Sequence, residues 1–409
     1  MLMDRTILHC DLNNFYASVE QKMHPEFDGL PLAVCGNPEV RHGIVLAKNM
    51  LAKEAGVATG EAIWISRQKC PNIVFVPPHY DEYVKYSKQV FGIYTEFTDR
   101  VESFGLDECW LDVTESVRLL GNGKQIADNI RETVKKRTGL TISVGVSFTK
   151  VLAKLGSDLK KPDATVVLDR ENYMRLIGDR SPSELIMIGR KTAQKLENLN
   201  IRTIKQLACA DVAMLRDHFG IIADKMSAAA RGIETEPVKL YYDTHVPKSV
   251  SHGTTTPRDM TTFEDAKIVI YALAEMVAMR LRRFNLCADG VGLSVREASL
   301  SHKSCQGVLP RSTSNAADIA EAALKLLAKL HTFPAPLRAI SVAAIRLSDK
   351  NVVQTSLFDC EGEKEEKLEQ SIDKIRGKYG YKSVKRGLML KNDLATNLHE
   401  DDGFLPFKR

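Results

Sequence analysis

Two adjacent acidic residues interrupt an apolar stretch of the sequence. In "SFGLDECWLDV", Ser103 to Val113, Asp107 and Glu108 stand between residues of strand character. Because strands are poor in Asp and, to a lesser degree, in Glu, the pair favours a hairpin with acids near its turn. A solvated turn would be one explanation. However, a third acid, Asp11, follows another short apolar strand, Ile7 to Cys10, so the two segments could contribute to one site.

Three carboxylates brought together would favour a divalent cation. Packed without a counter-charge they repel one another, and their pKa values rise above those of free acids. Mg²⁺ takes oxygen ligands and is typically held by one or two carboxylates together with substrate phosphates. Two such ions can activate an attacking hydroxyl and stabilise a leaving oxygen in phosphoryl transfer. The acids therefore predict a site for two Mg²⁺ ions.

The elements around these acids alternate between strands and helices. After the hairpin, the pattern predicts a helix over 124–136, a strand "TISVGVS", a helix over 150–159 and a strand "TVVLD". This order indicates an α/β (α+β) fold built on a ferredoxin-like β-α-β-β-α-β sheet. In such a sheet the end of the first strand can lie beside the hairpin, which would bring Asp11 next to Asp107 and Glu108.

Composition sets wider limits. The chain has 409 residues, 44% hydrophobic and 27% charged, which is typical of a globular protein of about two to four domains. Its net charge of +5 does not by itself identify a polyanionic partner. The eight cysteines include no C-x-x-C pair, and neither a signal peptide nor a membrane-length apolar run is evident. We therefore expect a cytoplasmic protein without a membrane partner.

Three segments, in order, resemble the signature segments of the Y-family translesion DNA polymerases of the bacterial DNA polymerase IV type. They are "CDLNNFYASVE", "GLDECWLDV" and "SVGVSFTKVLAKLGSDLKKPDAT". The resemblance implies a multidomain right-hand fold with a ferredoxin-like palm, small fingers, a helical thumb with a helix-hairpin-helix, and a little finger. The expected ranges are palm 1–19 and 80–168, fingers 20–79, thumb 169–240, linker 241–250, little finger 251–350, and a clamp-binding peptide with a tail over 351–409.

The resemblance also assigns roles by position. Asp11, Asp107 and Glu108 match the catalytic metal-binding carboxylates, and the backbone carbonyl of Leu12 matches a further metal ligand. The residues that match the binding site of the incoming deoxynucleoside triphosphate are Phe15, Tyr16, Lys53 and Lys161. Tyr16 would be a steric gate against the ribose 2′-OH.

Two departures from the family pattern lie in the fingers and the hairpin. The usual tyrosine, any residue, alanine, arginine pattern is "MLAK" here, so Met50 and Lys53 replace the hydroxyl and the forked guanidinium. Gly105 stands where the family commonly has serine. The first departure leaves the details of triphosphate binding open.

DNA contacts are expected in the second half of the chain. "IMIGRKTAQKLENLNIRTIKQLA" resembles a helix-hairpin-helix, in which Gly189 would help to hold a phosphate. Residues 251–350 carry 13 Lys plus Arg against 9 Asp plus Glu and have the pattern of a second split β-α-β unit. Arg280, Arg282 and Arg283 on its first helix are expected to contact phosphates of primer-template DNA, although a solvated face is an alternative.

A short peptide follows the last predicted strand. "QTSLF" resembles the peptide by which bacterial polymerases bind the sliding clamp, with Gln354, Leu357 and Phe358 as its anchors. The alternative is that the two apolar side chains fold back onto the chain. A helix with Leu368, Ile372, Ile375 and Tyr379 comes next, and the role of this tail stays open.

These features together predict a monomeric, template-directed DNA polymerase that performs low-fidelity, low-processivity translesion synthesis in DNA repair. One alternative is a catalytically impaired DNA-binding accessory protein of the same fold, because Met50 and Lys53 depart from the pattern. A nucleotide cyclase is a third interpretation, but it would not need the helix-hairpin-helix or the basic last domain.

Overall fold

A computed structural model describes residues 5–37, 43–243, 247–350, 360–390 and 392–394, with the side chains of 360–363 excepted. The described residues form two compact units: residues 5–36 and 44–243 form one, and the described residues from 247 onward, with Asn37 and Gly43, form the other. We describe each unit by itself. None of the described helices combines the length and the apolar composition that a membrane crossing requires.

The palm is a five-stranded sheet in the order β5-β6-β1-β7-β8. Its strands are β1 (Ile7–Leu12), β5 (Val101–Ser103), β6 (Glu108–Asp112), β7 (Ile142–Ser147) and β8 (Thr165–Leu168). The fully buried β1 is central and pairs antiparallel with both β6 and β7. The predicted ferredoxin-like order is confirmed, and β1 extends two residues beyond the predicted end, so Asp11 lies within the strand.

Helices cover both faces of this sheet. One face packs against α4 (Tyr80–Tyr94) and α6 (Gly123–Thr138), and the other packs against α7 (Lys150–Leu159). Gly145 on β7 permits the close approach of α7, since a Cβ there would collide with the backbone of Ala153. The tight packing fixes α7 over the strands that carry the acids. A short helix α5 (Val117–Leu120) precedes α6.

The fingers consist of a small sheet with short helices. Its strands, in the order β3-β2-β4, are β2 (Leu32–Cys35), β3 (Val45–Lys48) and β4 (Val74–Val76). The helices are α1 (Phe15–Met23), which links β1 to the fingers, α2 (Met50–Glu54) and α3 (Ile63–Lys69).

The thumb is helical, as the sequence predicts. It contains α8 (Tyr173–Ile177), α9 (Arg190–Asn198), α10 (Ile204–Cys209), α11 (Val212–Phe219) and α12 (Ile222–Ala230). The predicted hairpin lies between α9 and α10, where Asn200 has a positive φ of 61°.

The little finger repeats the β-α-β-β-α-β order. It comprises β9 (Ser249–Met260), α13 (Phe263–Arg283), β10 (Leu286–Glu297), β11 (His302–Thr313), α14 (Ala316–Leu330) and β12 (Leu337–Asp349), with the sheet order β11-β10-β12-β9. The second split β-α-β unit is therefore confirmed. Both helices pack on one face of the sheet and form the hydrophobic core with it.

A C-terminal helix, α15 (Cys360–Tyr379), packs against the little finger with its charged side. Glu369 and Arg376 are buried, whereas Leu368 is 62% and Tyr379 67% exposed. The apolar residues that make the helix amphipathic in sequence are thus largely on its solvent side. After α15, the chain adds Met389 and Leu394 to the little-finger core.

Candidate active site

The register of the palm sheet brings the three predicted acids together. Asp11 on β1 lies directly opposite Glu108, the first residue of β6. Asp107 immediately precedes β6, and its carbonyl accepts a 2.9 Å hydrogen bond from the Leu12 N–H. Leu12, whose carbonyl is a predicted metal ligand, ends β1. The strand pairing therefore fixes the backbone of all four residues at one edge of the palm.

Two lysines, Lys154 on α7 and Lys161 just beyond its end, reach these acids. The Lys161 Nζ lies 2.7 Å from the Asp11 Oδ2, and the Lys154 Nζ lies 2.8 Å from the Glu108 Oε1 and 3.4 Å from the Asp11 Oδ2. Asp158 contacts both ammonium groups, at 2.8 Å from Lys161 and 3.4 Å from Lys154. Lys161 is a predicted site residue, whereas Lys154 was not predicted. Its position on the predicted helix over 150–159, shortly before Lys161, was the signal available in the sequence.

Burial and mutual repulsion act on the acids. Burial raises the pKa of Asp11, and the Lys161 ammonium only partly offsets this. Burial and then the Glu108 charge raise the pKa of Asp107. Burial also opposes ionisation of Glu108, but contacts with His9 and Lys154 outweigh it, so its pKa lies below the usual range. The site therefore holds its negative charge at a cost that a cation would relieve.

The donor set fits a hard divalent cation. Carboxylate oxygens and a backbone carbonyl are the ligands that Mg²⁺ prefers. Among the described residues, no group of three or more Asp, Glu, His or Cys side chains already has an arrangement that could hold a metal ion. Lys154 and Lys161 contact the oxygens that would bind the ion, so ion binding would require these ammonium groups to move.

The aromatic pair lies at the start of α1. Asn14 precedes the helix in a left-handed conformation, with φ 49°, and turns the chain from β1 so that Phe15 and Tyr16 follow directly. Phe15 is buried, and the half-buried Tyr16 stacks on Tyr83 with ring centroids 4.2 Å apart. Burial raises the pKa of Tyr16 to about 12, so its hydroxyl stays neutral at physiological pH.

In the fingers, the Asn49 side chain caps α2 by accepting a hydrogen bond from the Ala52 N–H at 3.0 Å. Lys53 lies exposed on this helix. A second lysine, Lys48, donates to the Thr59 Oγ1 at 3.1 Å, and burial followed by the Lys53 charge lowers its pKa. Lys48, which the sequence pattern does not single out, places a second positive charge near Lys53.

Arg280 and Arg282, which are predicted to contact DNA from the little finger, have partners within the fold. Arg280 is 2% exposed and donates to the Ser251 carbonyl at 3.1 Å. Arg282 forms ion pairs with Asp373 at 2.6 Å and Glu369 at 3.1 Å. The prediction that Arg280 and Arg282 contact phosphates is therefore corrected, because both guanidinium groups are engaged in the fold. Arg283 is exposed at the end of α13.

The remaining predicted residues fall in the thumb and beyond β12. Gly189 is exposed and immediately precedes α9. Gln354, Leu357 and Phe358 lie outside the described residues, so the structure gives no account of the predicted clamp peptide.

Comparison with known proteins places this arrangement in a family. Residues 10–158 match the impB/mucB/samB family, and residues 247–357 match the C-terminal domain of the same family. The chain is 44% identical over 394 residues to DNA polymerase IV of Acetivibrio thermocellus, which covers 95% of this chain and 98% of that protein. It is 33% identical over 397 residues to DNA polymerase IV 1 of Bacillus subtilis, which covers 95% of this chain and 94% of that protein.

A solved structure has the same architecture. A Y-family DNA polymerase chimera of Dbh and Dpo4 superposes with a TM-score of 0.74 at 21% identity, covering 85% of this chain and 100% of that chain. The fold is thus that of the Y-family DNA polymerases, with palm, fingers, thumb and little finger. By its sequence, the chain belongs to the impB/mucB/samB family.

Proposed function

We propose that this protein is a template-directed DNA polymerase that performs translesion synthesis. Its relatives are named DNA polymerase IV, and its substrates are primer-template DNA and deoxynucleoside triphosphates. The observation that carries the proposal is the pairing of Asp11 opposite Glu108, with Asp107 alongside, in contact with two lysines. Low fidelity and low processivity are part of the same proposal.

Each residue of the palm site has a proposed role. Asp11, Asp107, Glu108 and the Leu12 carbonyl would hold two Mg²⁺ ions. When bound, such ions activate the primer hydroxyl and stabilise the charge that develops on the triphosphate. Lys161 would bind the triphosphate, and Lys154 would balance the acids. Lysines suit these two roles because the ammonium group is a compact point charge on a flexible stem.

The nucleotide is proposed to lie on the aromatic pair. Phe15 and Tyr16 would support the sugar, and the Tyr16 ring would leave no space for a 2′-OH. Lys53, together with Lys48, would contact the phosphates from the fingers. These two ammonium groups would then replace the single guanidinium of the usual family pattern.

DNA binding is proposed for the face of the little-finger sheet opposite α13 and α14. The side chains there are mostly small or hydroxylic, which lets a phosphate backbone approach closely. Arg296 is exposed on this face, and His302 Nε2 lies 2.6 Å from Ser294 Oγ. Arg283 and, in the thumb, Gly189 would add further backbone contacts.

Primer extension tests the function. The protein should extend a labelled primer on a template in the presence of Mg²⁺ and all four deoxynucleotides. An accessory protein would bind the duplex without extending it, and a nucleotide cyclase would convert a nucleoside triphosphate without a primer. Absence of extension under these conditions would overturn the proposal.

The clamp peptide is proposed from the sequence alone. Gln354, Leu357 and Phe358 would anchor in a groove of the sliding clamp, and buried apolar anchors commonly carry ~2 kcal/mol or more each. Replacing Leu357 and Phe358 by Ala should remove the stimulation of synthesis by the clamp, with clamp-free extension as the internal reference. Equal stimulation of variant and wild type would assign the two residues to the fold.

A further inference from the structure

A buried carboxylate without a role in the chemistry described above lies on α1. Glu20 is 0% exposed. It accepts hydrogen bonds from the Tyr83 hydroxyl and from the His79 Nδ1, the latter at 2.9 and 3.1 Å to its two oxygens. Because an ionised carboxylate can only accept, both partners must donate. Glu20 thus joins α1 to the first turn of α4.

Tyr83 connects this carboxylate to the predicted steric gate. Its ring is fully buried and lies nearly parallel to the Tyr16 ring, with an interplanar angle of 11° and centroids 4.2 Å apart. Phe15 and Tyr80 contact Tyr83 at tilted or perpendicular angles, with centroids 6.1 and 5.8 Å away. Its hydroxyl end is thus held by Glu20, while its ring face supports Tyr16.

Packing alone does not account for Glu20. Apolar side chains of similar volume could join α1 to α4 without removing a carboxylate from water, which is costly unless hydrogen bonds compensate. A charge-assisted hydrogen bond is short and directional. Glu20 therefore adds a fixed position and orientation for the Tyr83 ring, which apolar contact would not specify.

We propose that Glu20 and Tyr83 are positioning residues that set the location of the Tyr16 ring and thereby the selection of deoxyribose over ribose. The proposal rests on the proposed role of Tyr16 as the gate. A steric gate excludes an atom by contact, so displacement of the ring by a fraction of an ångström opens space beside the 2′ position. Without its hydroxyl bond, the Tyr83 ring can shift, and the Tyr16 ring that stacks on it shifts too.

The test is the ratio of kcat/KM for a ribonucleotide to that for the matching deoxyribonucleotide. Tyr83→Phe should raise this ratio roughly three- to tenfold, because small displacements of a positioning group change rates by about this much or more. Glu20→Gln should raise it less, since the amide oxygen still accepts from Tyr83 but without charge assistance. Tyr86→Phe, on the same helix, is the matched control and should leave the ratio unchanged.

The outcomes separate this proposal from the one on which it rests. If Tyr16→Ala leaves the ratio unchanged, the gate itself is wrong. If Tyr16→Ala raises the ratio, but Tyr83→Phe and Glu20→Gln match Tyr86→Phe, then the positioning role is overturned and the gate stands. A purely structural role would lower kcat/KM for both sugars equally. Should Tyr83→Phe fail to fold, Glu20→Gln decides.

Discussion

The palm and the little finger both contain ionic clusters, but they balance the charges differently. Around the palm site, the described residues place four carboxylates against two lysines: Asp11, Asp107, Glu108 and Asp158 against Lys154 and Lys161. The cluster in the little finger, in the part of the chain described, sets three carboxylates against three arginines: Glu275, Glu369 and Asp373 against Arg282, Arg376 and Arg386.

The difference indicates what each cluster is for. An excess of acid, neutralised in part by flexible lysines, can accept a divalent cation once the lysines move away. A balanced set joined by forked arginines has its charges already satisfied and fixes geometry. Glu275 is 5% and Arg376 4% exposed, whereas the Glu108 side chain keeps 21% exposure and that of Lys161 27%. We therefore assign chemistry to the palm cluster and structure to the little-finger cluster.

The largest expected effect is in the palm. Asp107→Ala or Glu108→Ala should lower the rate of nucleotide transfer by about 10³-fold or more, because the metal contributes several kcal/mol of charge stabilisation. Single-turnover extension with Mg²⁺ measures this. Duplex affinity and thermal stability should stay near wild type, since the proposed DNA-binding residues lie elsewhere. Wild-type extension by either variant would contradict the mechanism.

The reciprocal change in the little finger should affect stability. Glu275→Gln leaves Arg376 without its buried carboxylate, and breaking a buried pair in this way costs about 3 kcal/mol or more. Denaturant unfolding monitors the loss. Extension per folded molecule should be retained. A variant that is as stable as the wild type but extends primers more slowly would indicate that this cluster takes part in catalysis.

The pH dependence of stability should have opposite signs in the two units. Burial and then the Arg280 charge lower the pKa of His252 in the little finger to about 4. The neutral His252 therefore contributes to the stability of the fold above about pH 6.5, and this contribution is lost as the pH falls toward 4. Burial raises the pKa of Asp11, so ionising it costs stability as the pH rises above about 4. Unfolding of His252→Gln and Asp11→Asn in metal-free buffer should flatten the respective slopes, and unchanged slopes would reject these contributions.

The smallest effect separates two neighbouring arginines. Arg283→Gln should weaken DNA binding a few-fold and reduce the salt dependence of the affinity by about one counterion. Arg282→Gln should instead lower stability, since its guanidinium pairs with Glu369 and Asp373. Fluorescence anisotropy at several salt concentrations distinguishes the two. A reduced salt slope for Arg282→Gln would restore it as a DNA contact.

The sequence was sufficient to predict those parts of the fold and of the site that leave a local pattern in the chain. The acids at the end of β1 and before β6 stand out because strands rarely carry them, and the alternation of elements predicted both split β-α-β units. It was not sufficient where partners are distant in sequence. Arg282 meets Asp373 across 91 positions, so a basic helix end resembled a DNA contact. Glu20 was likewise missed, because a single acid on a helix gives no sign that it will be buried.

The acidic excess of the palm is proposed to bind the catalytic cations. Isothermal titration of Mg²⁺ into the protein, with primer-template and a non-reactive nucleotide analogue present, tests it most directly. We expect two Mg²⁺ ions to bind to the wild type and to Glu275→Gln. Glu108→Ala should bind fewer ions or bind them with much lower affinity. Wild-type Mg²⁺ binding by Glu108→Ala, or its loss in Glu275→Gln, would contradict the division of roles between the two clusters.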